Sequence, residues 1–288
     1  MAYKNPLQNI PRVGLIGTEK FPLSVSSLAN LQTCPLLWMG CAMLPAMDII
    51  EGRDSGEKPE TGSATGRFVE LWHRGHSADQ CETMVTEEAP ANFPLADLAK
   101  VLRLGKKYAA DPRNTVTAVL TKSLEQKVRF SVPAASNDPS GQPIHIAGKI
   151  DQIRRDPDSG RLMVWDSKVS GFHGKDLVLK YAWQIAGYAV GATELYGEEV
   201  WAGGIIRLTG YATREQFAPG SEPVFFYAQW SRPQCLKMLS SMAHIIGDIR
   251  AGRIFTQPSG SCSWCPLSPV EECEDVVADA IASGRLRV

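Results

Sequence analysis

The residues best equipped for chemistry lie in Gly148–Lys168, GKIDQIRRDPDSGRLMVWDSK. Alternation along RLMVWDSK puts Leu162, Val164, Asp166 and Lys168 on one face of a strand. Ala147, Lys149, Asp151 and Ile153 share a face of the strand before it. Between them, Pro157, Asp158, Ser159 and Gly160 carry strong turn chemistry. A hairpin centred between Asp158 and Ser159 sets Asp151 directly opposite Asp166, with Cβ atoms about 4.5–5.5 Å apart in a regular ladder. Two carboxylates that close repel unless positive charge lies between them. Lys168 brings one charge to the edge of the pair. A hard divalent cation, Mg²⁺ or Mn²⁺, brings more, and carboxylates together with the Ser167 carbonyl are oxygen donors of the type it prefers. A cation there would polarise a phosphoryl oxygen and acidify water, and Lys168 would position that water or offset charge developing on the phosphate.

A second chemical set spans most of the chain. Cys262-x-x-Cys265 followed by Cys273 supplies three thiols, one fewer than Zn²⁺ or an iron–sulfur cluster normally takes. Cys34, in TCPLLW, is the candidate fourth, with Cys41 as an alternative. Joining Cys34 to the late segment would close most of the chain into one loop and stabilise it as a long-range crosslink does. Cys81 and Cys235 read as buried small apolar residues. Seven cysteines, an odd number, without a signal-peptide pattern at the N-terminus, argue against a disulfide framework.

These residues need elements to hold them. After an extended N-terminal arm, Ser26 or Ser27 caps a helix through Leu28, Leu31 and Leu37. Glu51–Gly66 is rich in Gly, Ser and Pro and reads as a polar loop. Helices are expected from Arg67 to about Ala78 and from Pro94 to Ala109; the second carries Lys100, Arg103, Lys106 and Lys107, most of them near one face. From Thr115 the period shortens to two: TVTAVL, LEQKVRFSVP, PIHIAGKIDQI and RLMVWDSK alternate as strands. A helix from about Leu177 to Tyr196, ended by Gly197, places Gln184 and Tyr188 on one face, and Gly187 and Gly191 permit close approach to a sheet. EVWAGGIIRLT and PVFFYAQW read as further strands, and Pro233–Ala251 as a helix leading to the cysteines. The order is that of an α/β (mixed α+β) fold with a central sheet.

The chain's 288 residues, net charge of −1 and 44% apolar content suit a soluble globular protein and give no global sign of nucleic-acid binding. The most apolar run, Cys34–Ile50, is too short to span a bilayer and is broken by Pro35 and Pro45.

Gly148-x-x-Asp151, Asp166-x-Lys168 and Gln184-x-x-x-Tyr188, taken together, resemble the PD-(D/E)XK nuclease superfamily, specifically its RecB-like branch. The resemblance runs from about Ser24 to Cys273. It implies a restriction-endonuclease-like core, with a central mixed β-sheet flanked by helices. It implies a catalytic set of Asp151, Asp166, Lys168, Gln184 and Tyr188, with Mg²⁺ or Mn²⁺ held by Asp151, Asp166 and Ser167. A further metal ligand would come from GRFVELWHRGH, where His73 is preferred and Glu70 is next. Glu125, in LEQKVRF, resembles an acidic residue of the strand before the hairpin. SVSSLANLQTCPLLW and IFTQPSGSCSWCP are similar to the ligand segments of RecB-like nucleases bearing a 4Fe–4S cluster, the AddB type and CRISPR-associated iron–sulfur exonucleases. That implies Cys34, Cys262, Cys265 and Cys273 as cluster ligands joining the two ends of the domain, with structural Zn²⁺ as the alternative.

The expected organisation is an arm (1–23), one nuclease domain (24–275) and a tail (276–288). The implied activity is metal-dependent hydrolysis of DNA ends or single strands by an exonuclease of recombination, repair or phage DNA processing. The alternative is a non-catalytic nucleic-acid-binding scaffold that kept the fold. No G-x-x-x-x-G-K-[ST] loop occurs, so an ATP-driven step would need a helicase or recombination partner. A cytoplasmic setting in a bacterial or phage-infected cell, with no membrane partner, is expected.

Overall fold

The computed structural model of the chain describes residues 15–38, 59–114, 124–156, 158–169, 176–208 and 225–253. The expected strand at 115–120, Cys41, Cys262, Cys265, Cys273 and the tail lie outside the described residues. In order, the elements are β1 (Leu23–Ser24), α1 (Leu28–Thr33), α2 (Pro35–Trp38), α3 (Pro59–His73), α4 (Ala78–Glu88), α5 (Leu95–Ala110), β2 (Gln126–Val132), β3 (Ile144–Ile150), β4 (Gln152–Arg155), β5 (Leu162–Lys168), α6 (Asp176–Lys180), α7 (Ala182–Tyr196), β6 (Val200–Arg207), β7 (Phe225–Tyr227) and α8 (Arg232–Arg250). The fold is mixed α/β, as the sequence predicts.

The expected single sheet is two among the described residues. One has the order β1-β3-β2, the other β4-β5-β6-β7. The segment PIHIAGKIDQI, which alternates as one strand, bends at Asp151, so its halves pair in different sheets. β4 pairs antiparallel with β5 through Gln152↔Trp165, Ile153↔Val164, Arg154↔Met163 and Arg155↔Leu162. This is the register that a turn centred between Asp158 and Ser159 sets. β5 then runs parallel to β6, which needs a crossover, and α6 and α7 supply it.

The main core lies between these sheets and the pair α7–α8, with Val25, Phe130, Ile146, Ile153, Val164, Ile185, Ile205 and Leu239 among its members. α7 is close to the strands because glycines face them: a Cβ on Gly191 would stand 3.0 Å from Val128 and Phe130, and one on Gly187 would stand 3.2 Å from Val25. Gly197, at φ 66°, ends α7 in the left-handed region that favours glycine.

Several local expectations change. The helix read as Leu177–Tyr196 is two, separated at Tyr181. α3 begins at Pro59, inside the segment read as loop, because Thr65, Phe68 and Leu71 bury against α4 and α5 and offset the poor helix propensity of Gly62 and Gly66. Ser27 does not cap α1 with its side chain; its hydroxyl donates to the Ser24 carbonyl and accepts from the Trp38 indole. None of the described helices is long and apolar enough to cross a membrane.

Candidate active site

The bend at Asp151 and the last residues of β5 create the site. Asp151 stands one step beyond the last β4–β5 pair and accepts from the Ser167 backbone N–H at 2.8 Å. Asp166, 2% exposed, is gripped from two sides. The Lys168 ammonium lies 2.9 Å from its Oδ2, and Gln184 Nε2 donates to its Oδ1 at 2.8 Å. Gln184 Nε2 also reaches Tyr188 Oη at 3.4 Å, so the two α7 residues form one buried support under Asp166. Tyr188 packs beside Gly148, where a Cβ would stand 2.8 Å from Val25 Cβ and 3.3 Å from the Tyr188 ring. The structure therefore brings together Asp151, Asp166, Ser167, Lys168, Gln184 and Tyr188.

The electrostatics show an undercompensated pair. The Asp151 residue is half-exposed, but its carboxyl is enclosed; burial, then the Asp166 charge, pushes it up to about 7 against the pull of Lys168. Burial also raises Asp166, with Lys168 opposing. Burial disfavours the charged Lys168, but the two aspartates outweigh it and hold the lysine pKa above its ordinary value. Two carboxylates thus share one ammonium.

That imbalance is the test of fit for a hard cation, and the donors pass it: two enclosed carboxylates with raised pKa values and a neighbouring backbone carbonyl. Among the described residues, no three His, Cys, Asp or Glu side chains converge closely enough to hold a metal ion. The two aspartates and a carbonyl would be the protein's share of a metal shell here.

The imbalance predicts a pH dependence of the metal-free protein. A carboxyl whose folded pKa is about 7 binds a proton in the folded state that the unfolded chain has lost above about pH 4. Its contribution to stability therefore falls as pH rises from about 4 to about 7. With a chelator present, urea midpoints at pH 5 and pH 8 should show wild type losing more stability than Asp151→Asn, by up to a few kcal/mol. Equal slopes would mean the carboxyl titrates normally.

A cleft of about 640 Å³ opens beside Asp151, Ser167 and Lys168, with Gly62, Gly66, Arg67 and Glu70 of α3 forming its opposite wall. Asp166, Gln184 and Tyr188 lie behind that surface. Of the two α3 candidates, Glu70 lines the cleft and His73 does not. His73 is fully buried, with Nε2 2.8 Å from Tyr108 Oη, in a network that continues to Gln152 and Arg154. Burial and the Arg154 charge lower its pKa to about 3, so it is neutral. Position separates the two: Val69 and His73 lie on the inward face of α3, whereas Arg67, Glu70 and Arg74 lie on the outward one. Burial raises the Glu70 carboxyl, but Arg67 and Arg74 outweigh it, so Glu70 stays ionised.

One neighbour, Tyr181, and the backbone conformation of another, Glu125, were not legible in the sequence. The Lys168 ammonium lies over the Tyr181 ring, 5.4 Å from its centroid. Glu125 adopts φ 54°, unusual for a non-glycine residue, and its N–H donates to the Asp151 carbonyl at 3.3 Å while its carboxylate pairs with Lys149. Helical spacing of three from Gln184 is the signal that could have found Tyr181; nothing in the sequence marks the Glu125 backbone. Cys34, expected to ligate a cluster, is buried at the junction of α1 and α2.

Residues 22–270 match the profile of the PD-(D/E)XK nuclease superfamily. No curated protein matches the chain. Among solved structures, one described as "Crystal structure of SSO0001" is similar at 14% identity and a TM-score of 0.33, over 72% of this chain and 82% of that chain.

Proposed function

The chain belongs to the PD-(D/E)XK nuclease superfamily, and from that premise we propose that it is a divalent-metal-dependent deoxyribonuclease, most readily an exonuclease acting on DNA ends or single strands. The observation that carries the reading is the convergence of Asp151 and Lys168 at one edge of an open cleft, with Asp166 directly behind them on the Lys168 ammonium. Mg²⁺ or Mn²⁺ held by Asp151, Asp166 and the Ser167 carbonyl would supply positive charge to a phosphodiester and acidify water. Lys168, fixed by Asp166, offsets negative charge developing on the phosphate. Gln184 and Tyr188 keep the Asp166 carboxylate in place, and Glu70 adds a carboxylate to the facing wall. The direct test incubates end-labelled linear, circular and single-stranded DNA with the protein and Mn²⁺, beside Asp166→Ala. Shortening of linear but not circular DNA is the expected result. DNA binding without cleavage by the wild type would favour the non-catalytic scaffold instead.

The same reading treats residues 24–275 as one domain whose ends are tied by a 4Fe–4S cluster on Cys34, Cys262, Cys265 and Cys273. Its support is the thiol count and spacing, together with the burial of Cys34. Protein purified without oxygen should be brown and carry iron and acid-labile sulfide, and Cys34→Ser should lose both. Colourless protein carrying zinc would replace the cluster with Zn²⁺. A recombination or helicase partner, and a cytoplasmic setting, complete the proposal.

A further inference from the structure

α5 carries a row of cations whose charges find no carboxylate among the described residues. Lys100, Arg103 and Lys107 fall within an arc of about 60° on the helix and span about 10 Å along its axis. Arg103 is exposed and the two lysines are half-buried. None of the three makes an ion pair or hydrogen bond among the described residues. Exposed Arg74, Arg155 and Arg253 and half-buried Arg67 sit on carboxylates, whereas exposed Arg129 and Arg161 rest on a backbone carbonyl and an indole ring. Lys106, the fourth basic residue of α5, is off this row and pairs with Glu82 of α4. Asp97, in the first turn, is the acid that precedes the row.

The row's position relates it to the cleft. Leu104, which follows Arg103 on the flank next to the row, belongs to the same buried cluster as Leu208, with Val169 packed against it. Val169 and Leu208 directly follow the ends of β5 and β6. The row thus stands on a helix docked at the strand ends that carry Lys168. Resting on the nuclease reading, we infer that Lys100, Arg103 and Lys107 are a docking surface for the sugar–phosphate backbone of DNA, separate from the cleft that cuts it. The charges are complementary, and so is the spacing: one strand of duplex places a phosphate about every 3.4 Å along the helix axis, so a row of about 10 Å faces about three phosphates. The contacts carry no base information, so they fix the register of DNA without selecting its sequence.

The test measures binding of a labelled DNA duplex by fluorescence anisotropy across a salt series, with Ca²⁺ in place of Mg²⁺. The triple variant Lys100→Gln/Arg103→Gln/Lys107→Gln should flatten the slope of log K against log salt by about 2 to 3 relative to wild type. Lys100→Arg/Arg103→Lys/Lys107→Arg should restore the slope, and Lys106→Gln should change it by less than about 1. At saturating DNA the triple-Gln variant should cut at the wild-type rate. An unchanged slope in that variant, with wild type binding and cutting DNA, would overturn this surface alone. Wild type that neither binds nor cuts DNA overturns the nuclease reading and this inference with it.

Discussion

Asp166→Ala should lower DNA cleavage by at least about 10³-fold, equivalent to about 4 kcal/mol of transition-state stabilisation. Asp166 is the residue on which the others converge: Lys168 and Gln184 both contact its carboxylate. Alanine removes a metal donor, frees the Lys168 ammonium and leaves the Gln184 amide without its acceptor. Asp166→Asn separates these effects, because its side-chain oxygen can still accept from Gln184 while the charge is gone. Both variants should be inactive, which would show that charge and not support is what the reaction needs. Neither should unfold the protein. Above about pH 7, where Asp151 is ionised, Asp151, Asp166 and Lys168 place two negative charges against one positive, so removing one carboxylate leaves a balanced pair. Without metal, both variants should therefore melt close to wild type. Cleavage by Asp166→Asn within tenfold of wild type would remove Asp166 from the chemistry.

Legibility of this site varied with the range of the forces that build it. The hairpin register came from the turn alone, since Asp158, Ser159 and Gly160 mark where the chain reverses and the ladder follows by counting. Gly187, Gly191 and Gly197 were readable for the same reason: a missing Cβ acts locally. The split of the sheets at Asp151 was not readable, because alternation continues through the bend while the hydrogen-bond partners change. α3 hid its first two turns behind Gly62 and Gly66, and its helicity there comes from burying Thr65 and Phe68, a tertiary effect. The positions of His73 and Glu70 were not readable for a related reason. Both suit a metal chemically, and only the packing of α5 against α3, which buries His73 on Tyr108, decides which faces the cleft.

The largest stability effect should come from Arg250, far in sequence from the site. Its guanidinium at the end of α8 is 1% exposed, and Nη1 lies 2.6 Å from Asp138 Oδ2, itself fully enclosed. Nη1 also donates to the Gln142 carbonyl at 3.0 Å, and Nε to the Ile16 carbonyl at 2.8 Å. One side chain therefore ties three segments: the start of the described chain, the β2–β3 connection and the helix that leads to the late cysteines. Arg250→Ala strands the Asp138 carboxylate in the interior, as Asp138→Ala strands the guanidinium, and each should cost about 3–5 kcal/mol. In a chain of this size that is a fall in Tm of about 6–20 °C. Arg250→Met/Asp138→Leu removes both charges and fills the space, so it should recover most of the loss, because the stranded partner, and not the missing attraction, is what destabilises the single variants. Arg250→Ala and the double variant melting alike, well below Asp138→Ala, would show instead that the bonds to Ile16 and Gln142 carry the effect. In either case the folded fraction should keep its cleavage rate, since neither residue lines the cleft.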